Sequence, residues 1–321
     1  MIKIGVDALG GDNAPKVVVR GAIEALGYLG DSCRIVLFGN KDSILKEIHD
    51  SNCNPELFDI VHTSERIEMS DHPTESFLTK KDSSIVVGFD YLATGKIDGF
   101  ASAGSTGAMM VGSMMVAKPL PGVLRPTIAI AIPTLNGSPV VILDIGINVD
   151  CKAEVLEQYA LIGSAYAECV LGIESPRVAL LNIGEESSKG NTQTKAAYKL
   201  MEHSAQLQKY NFVGNIEPSH IFTGQTADVV VCDGFVGNTI LKLTEGFYAI
   251  NAATNLTSTF WEALNYEKLG GTTVLGIDSV VTIAHGKSTS SAISNMIRST
   301  KHSIETGLIE RLKSELSNNS L

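Results

Sequence analysis

Apolar residues along this chain follow two alternating rhythms. Short runs dense in Val and Ile recur along most of its length: IKIGV (2–6), RIVLFG (34–39), FDIVHT (58–63), IDGFAS (97–102), TIAIAIP (127–133), PVVILDIG (139–146), RVALLNIG (177–184), FVGNIE (212–217), ADVVVCDG (227–234) and VVTIAHG (280–286). Several are uninterrupted by polar residues, the pattern of strands buried on both faces of a mostly parallel sheet. Between them, apolar positions return at helical spacing. PKVVVRGAIEALGYL opens on a proline, which suits a first helical turn. KAEVLEQYALIGSAYAECVLG ends at Gly172, a favourable helix stop. SSAISNMIRSTKHSIETGLIERLKSEL places Ile293, Ile297, Ile304, Leu308 and Leu312 along one helical face. The alternation predicts an α/β architecture with right-handed crossovers.

The 321 residues suffice for one large α/β domain or two small ones. No repeat or low-complexity stretch divides them. The expectation is one catalytic domain over 1–321 with room for two lobes about a central cleft. KPLPGVLRP (118–126), with three prolines, is the best lobe boundary. The tail 317–321 is expected to fray.

Composition narrows the function. A net charge of −10 argues against nucleic acid, whose binders cluster Lys and Arg. The five cysteines form no CxxC pair and no zinc spacing, which suits a reducing cytoplasm and no metal. Cys232, inside an apolar run, reads as a buried thiol. No basic segment leads into an apolar stretch as a signal peptide would. The richest apolar segment, GAMMVGSMMVAK (107–118), is too short to span a bilayer, so membrane contact is expected only at the surface.

Polar glycine turns follow the strand-like runs: DALGGD (7–12), SAGSTGA (102–108), DIGINVDCK (144–152), NIGEESSKGN (182–191), DGFVGN (233–238) and AHGKSTSS (284–291). In an open α/β sheet such turns gather at the carboxyl ends of strands, where ligands bind. Gly10 and Gly11 could wrap backbone N–H groups round an anion, yet Asp7 and Asp12 bracket them. Ser105 and Thr106 suit either a phosphate cradle or a helix cap. Lys189, with Asn191 beside it, could polarise a carbonyl or simply be solvated. Asp233 and Asn238, like Asp144, Asn148 and Asp150, suit either a site or a cap. His285 suits proton transfer, anion binding or a structural hydrogen bond. Arg125 could grip a phosphate with its guanidinium fork, or lie on the surface. The Walker lysine, the GxGxxG fingerprint, GxSxG and HExxH are all missing, which disfavours an NTPase, a dinucleotide site, covalent serine catalysis and a zinc peptidase.

Taken in order, DALGGDNAP, SAGSTGAMM, LRPTIA, LDIGINVD, NIGEESSKGN, GNIEP, DVVVCDGFVGN and HGKS resemble the motif series of PlsX-type phosphate acyltransferases of bacterial phospholipid synthesis. The resemblance runs from residue 2 to about residue 300. Leu9, Ser105 and Ile147 stand where that family usually has Met, Asn and Ala. NAATNLTSTFWEALNYEKLGG (251–271) has Phe260, Trp261 and Leu264 but only Lys268 as a cation, where relatives are often basic, so weak or partner-dependent membrane contact is expected.

The resemblance implies a three-layer α/β/α fold with a mostly parallel sheet, akin to the phosphate acetyltransferase and isopropylmalate dehydrogenase group. It implies a homodimer without cofactor that moves a long-chain acyl group from acyl carrier protein to inorganic phosphate. A membrane glycerol-3-phosphate acyltransferase would use the product. Gly10, Gly11, Ser105, Thr106 and Arg125, with Asn148, Asn191 and Asn238, are the substrate-binding candidates. Lys189 would balance an oxyanion, and Asp7, Asp12, Asp233 and His285 are rivals for handling the proton. Carrier protein is acidic, so Lys195, Lys199 and Lys209 are candidates for its docking face. The rivals are a short-chain acyl-CoA phosphotransferase, a metal- and nicotinamide-dependent hydroxy-acid dehydrogenase, and a non-catalytic scaffold that binds carrier protein.

Overall fold

The structure, a computed structural model, describes residues 1–254, 258, 260, 264 and 270–318. The chain begins with β1 (Ile2–Asp7), α1 (Lys16–Leu29), β2 (Cys33–Gly39), α2 (Lys41–Asp50), β3 (Phe58–His62), α3 (Pro73–Thr79), α4 (Ser84–Ala93), β4 (Gly99–Ser102) and α5 (Thr106–Gly112), which runs into a π turn at Ser113–Ala117. There follow β5 (Thr127–Ile132), β6 (Val140–Leu143), α6 (Ala153–Leu171), β7 (Arg177–Leu181), α7 (Thr192–Gln206), β8 (Asn211–Ile216), α8 (Pro218–Ile221), β9 (Val229–Val231) and α9 (Gly234–Thr254). The last elements are β10 (Thr272–Leu275), β11 (Val280–Ile283), α10 (Ser290–Glu305) and α11 (Leu308–Asn318). They form two compact units. Unit 1 is Met1–Pro119 with Tyr266–Glu305, and unit 2 is Leu120–Asn265 with Thr306–Leu321. The first passage between them, at Pro119/Leu120, lies inside the proline-bearing segment 118–126.

In unit 1 the strands stand in the order β3-β2-β1-β4-β11-β10. All pair in parallel except β10 with β11. Side chains alternate between the two faces. Ile4, Val6, Ile35 and Leu37 face one way, into a core with Val18, Val19 and Ala22 of α1 and Ile293, Met296 and Ile297 of α10. Gly21 lets those helices meet, since a Cβ there would stand 2.6 Å from Ile293. Phe38 and Phe100 face the other way and continue edge-to-face through Phe89 to Phe77, beneath α4. Helix, sheet and helix thus make three layers.

In unit 2 the order is β5-β6-β9-β7-β8, with only β5/β6 antiparallel. α6 lies on β6, β7 and β9. Gly163 makes that approach close: a Cβ there would fall 2.7 Å from Val229. α7 and α11 pack against α6.

The expected α/β class with a mostly parallel sheet is what the chain forms. Two expectations need correction. TTVL (272–275), left out of the strand-like runs, follows two turn-like glycines, Gly270 and Gly271 (φ +75° and +88°), and its β-branched residues form β10, the hairpin partner of β11. The single C-terminal helix is two. Gly307 at φ +69° leaves the helical region, so Ile293 and Ile297 are buried in unit 1 while Leu308 and Leu312 are buried in unit 2. α11 continues through Asn318, and 319–321 lie outside the described residues. So do Trp261 and Lys268, whereas Phe260 is half-buried and Leu264 is buried. Among the described residues no helix is long and apolar enough to cross a membrane.

One substitution should act with opposite sign at two helical glycines. A Cβ on Gly88 would lie 2.3 Å from the Phe100 ring, so Gly88→Ala should cost about 1–3 kcal/mol through overpacking. Exposed Gly27 in α1 has nothing within 4 Å, so Gly27→Ala should stabilise by about 0.5–1 kcal/mol. Urea denaturation of both variants reads the two signs.

Candidate active site

In unit 1 the glycine turns follow β1, β4 and β11, which run parallel, so their loops leave from the same end of the sheet. Asp7 closes β1 and is buried. Its Oδ1 accepts from Leu9 N at 3.1 Å. Its Oδ2 accepts from Ser102 Oγ at 2.6 Å, and that hydroxyl accepts from Gly104 N at 2.9 Å. Burial pushes the Asp7 carboxyl above its ordinary range, while hydrogen bonds from Ser102, Ser84 and Leu9 and the charge of Arg66 pull it back. Gly10 is required by contact: a Cβ there would stand 2.5 Å from Asp7 Oδ2 and 2.7 Å from Gly104 N. Gly11 turns at φ +102°, and Asp12 N then donates to Gly286 O at 2.8 Å. The Asp12 carboxylate is exposed beside Gly286.

His285 is exposed on the same loop group, and its Nδ1 accepts from Lys287 N at 3.1 Å. The neutral ring therefore carries its proton on Nε2. Ser105 is buried and its Oγ accepts from Ala108 N at 3.3 Å, so it caps α5, while Thr106 is exposed at the first helical position.

Unit 2 builds its loops on β6, β9 and β7, also parallel. Buried Asp144 accepts from Gly146 N, Ile147 N and Asn148 N, and from the Asn148 amide at 2.9 Å. Asn148 is itself buried and also donates to Pro126 O and the Tyr159 hydroxyl. Its amide is thus committed inside the loop. Two thiols lie here. Burial, helped by the charges of Asp144 and Asp233, pushes Cys151 up to about 11 and Cys232 well above its ordinary value. Such thiols stay protonated and are poor nucleophiles.

Asp233 is half-buried, and its Oδ1 accepts from Val236 N at 2.8 Å at the start of α9. Its Oδ2 accepts no hydrogen bond among the described residues. Gly237 lets α9 sit on the Asp144 carbonyl, and exposed Asn238 lies against Gly146. On the β7 loop, Asn182 donates to Asn215 Oδ1 and Lys189 O, and Asn215 donates to Glu186 O. Lys189 keeps a half-exposed ammonium 4.0 Å from Glu186. Asn191 caps α7 by accepting from Thr194 N. Arg125 is exposed and makes no ion pair among the described residues.

The chain matches the family described as "Fatty acid synthesis protein" over residues 2–259. The phosphate acyltransferase of Desulforamulus reducens is 41% identical, the match covering 99% of this chain and 98% of that one. That of Dictyoglomus turgidum is 40% identical, covering 92% of each. The chain belongs to the PlsX-type phosphate acyltransferase family. As a member it is an acyltransferase. Its fold is shared with a phosphotransacetylase from Streptococcus pyogenes, at TM-score 0.65 and 17% identity over 96% of this chain and 94% of that one. A putative 4-hydroxythreonine-4-phosphate dehydrogenase from Salmonella typhimurium matches at TM-score 0.54 and 13% identity, over 94% and 100%.

Several residues that build these acyltransferase loops escaped the sequence reading. Ser102 opens the SAGSTGA turn, where nothing local gives it a role. Ser84 and Arg66 carried no motif, and Asn182 and Asn215 stood in the motifs NIGEESSKGN and GNIEP without a role, because their partners lie far along the chain: Arg66 meets Gly11 across 55 positions and Asn182 meets Asn215 across 33.

Asp7 generates a pH prediction. Its folded carboxyl holds a proton that the unfolded carboxyl has already lost, so ionisation opposes folding. The stability it contributes is full below the unfolded value near pH ~4 and is lost as pH rises through the raised folded value. Asp7→Asn keeps an acceptor for Leu9 N and cannot ionise. Denaturant unfolding at a series of pH values should show the variant gaining on the wild type as pH rises. A constant difference would contradict the assignment.

Proposed function

We propose that this chain transfers a long-chain fatty acyl group from acyl carrier protein to inorganic phosphate. The observation that carries the reading is the 41% identity, over 99% of the chain, to a protein named phosphate acyltransferase. A phosphate oxygen attacks the thioester carbonyl carbon, a C–O bond forms, and the C–S bond breaks. The carrier leaves as a thiolate that takes up a proton, and acyl phosphate is the second product. No enzyme nucleophile is needed, because phosphate attacks directly. Holding it near the thioester is much of the catalysis. The protonated state of Cys151 and Cys232 and the capping role of Ser105 agree with that economy.

On this reading phosphate is held at the Gly10–Gly11 turn through Gly11 N, with Thr106, because Gly10 N already donates to Asp7 O at 3.3 Å. Asp12 is exposed beside the HGKS loop and serves as proton acceptor. His285, on the exposed HGKS loop, meets the anion or handles its proton. Asp7 positions the turn. In unit 2, Lys189 offers a cation for charge on the carbonyl oxygen, and the free Oδ2 of Asp233 orients a proton-bearing group. We place the enzyme in the cytoplasm as a homodimer with peripheral membrane contact, and assign its product to a membrane glycerol-3-phosphate acyltransferase.

The test follows free carrier thiol after mixing the protein with long-chain acyl carrier protein, with and without inorganic phosphate. Release should require phosphate and be absent with the matching acyl-CoA. Lys189→Ala and Asp233→Asn should each lower turnover by about a hundredfold in a folded protein, and near wild-type turnover in both would sink the roles given them. Lys195 and Lys199 are exposed on α7, with Ala197 and Met201 facing the core. If they dock the acidic carrier, its KM should rise with salt, and a salt-independent KM rules that face out.

A further inference from the structure

The Gly10–Gly11 turn poses an electrostatic difficulty. Asp7 and Asp12 flank it, and Glu68 is close to the same loops, so an incoming anion meets carboxylates. The cation that the turn needs is present and comes from a segment without a motif. Arg66 Nη2 donates to Gly11 O at 3.0 Å, and its Nε lies 3.3 Å from Glu68 Oε2. Its Nη1 makes no hydrogen bond among the described residues. The side chain is one-third exposed (33%).

The loop that carries Arg66 is anchored at its backbone. Lys80 Nζ donates to Arg66 O at 2.9 Å and pairs with Asp71 Oδ2 at 2.6 Å, while the same Asp71 oxygen accepts from Glu68 N at 2.8 Å. Three residues on, Met69 abuts the HGKS loop: a Cβ on Gly286 would stand 2.7 Å from Met69 Cε. The segment 66–71 therefore borders both the glycine turn and the His285 loop. A guanidinium fixed in this way presents a planar donor edge, the geometry that suits two phosphate oxygens.

We infer that Arg66 is the guanidinium that grips the acceptor phosphate beside the Gly10–Gly11 turn, one edge holding the Gly11 carbonyl and Nη1 reaching the anion. The inference rests on phosphate being the acceptor, as proposed above. It also answers how a turn flanked by two aspartates accepts an anion: Asp7 is withdrawn into hydrogen bonds with Ser102 and Leu9, and Arg66 supplies the positive charge.

Two measurements on the full chain test it. In the first, inorganic phosphate is titrated while the unfolding temperature is followed. The wild type should be stabilised by phosphate, and Arg66→Gln should lose most of that response. In the second, carrier-thiol release is measured against phosphate and against acyl carrier protein separately. Arg66→Gln should raise the KM for phosphate about tenfold or more and leave the KM for acyl carrier protein unchanged, and Arg66→Lys, which keeps the charge but not the fork, should recover part of the loss. If Arg66→Gln does not fold, Arg66→Lys is read alone, and a raised phosphate KM with unchanged carrier KM is again the supporting result. A purely structural arginine would lower stability without phosphate and would leave the phosphate KM where it was. That outcome, or a wild type whose unfolding temperature ignores phosphate, overturns the inference. A wild type that phosphate stabilises but that releases no thiol would instead overturn the proposed reaction, and the thermal response would still judge Arg66.

Discussion

Asp7 and Asp144 are carboxylates withdrawn from water at the ends of strands, and each holds the turn that follows it. Asp7 takes Leu9 N and the Ser102 hydroxyl. Asp144 takes three successive backbone N–H groups and the Asn148 amide. A buried carboxyl is costly unless its lone pairs are filled, so each strand end is tied to one loop conformation.

Close approach is the second constraint, and it follows from the first. Loops gathered on buried carboxylates leave no room for side chains at the crossing points. Gly10 lies against Asp7 and Gly104, and Gly237 lies against the Asp144 carbonyl. The glycine-rich turns are therefore forced by packing. The same burial keeps Cys151 and Cys232 protonated.

Much of this was legible along the chain. The Val- and Ile-rich runs located every strand but β10, because strands buried on both faces need little local help. Gly172 ended α6 in the left-handed region as its position suggested. The order of the glycine turns carried the family, and they do follow the strands that the runs predicted. What each polar residue does inside those turns was less legible. Ser105 and Asp233 were each open to a cap or a site and Asn191 to a site or a solvated loop, and all three accept a helix-start N–H.

The remainder was decided by contacts between residues far apart in sequence. Arg66 has no motif around it and acquires meaning only where its guanidinium meets Gly11. Asn182 and Asn215 pin the Lys189 loop from two different strands. The C-terminal apolar stripe reads as one helix until Gly307 sends its halves into separate cores. The sequence by itself determined the fold class and the family, because hydrophobic period and turn chemistry are local and repeat along the chain. Tertiary structure alone decided which acids are buried and which side chains complete the loops, because burial and long-range hydrogen bonds exist only once the chain has closed on itself.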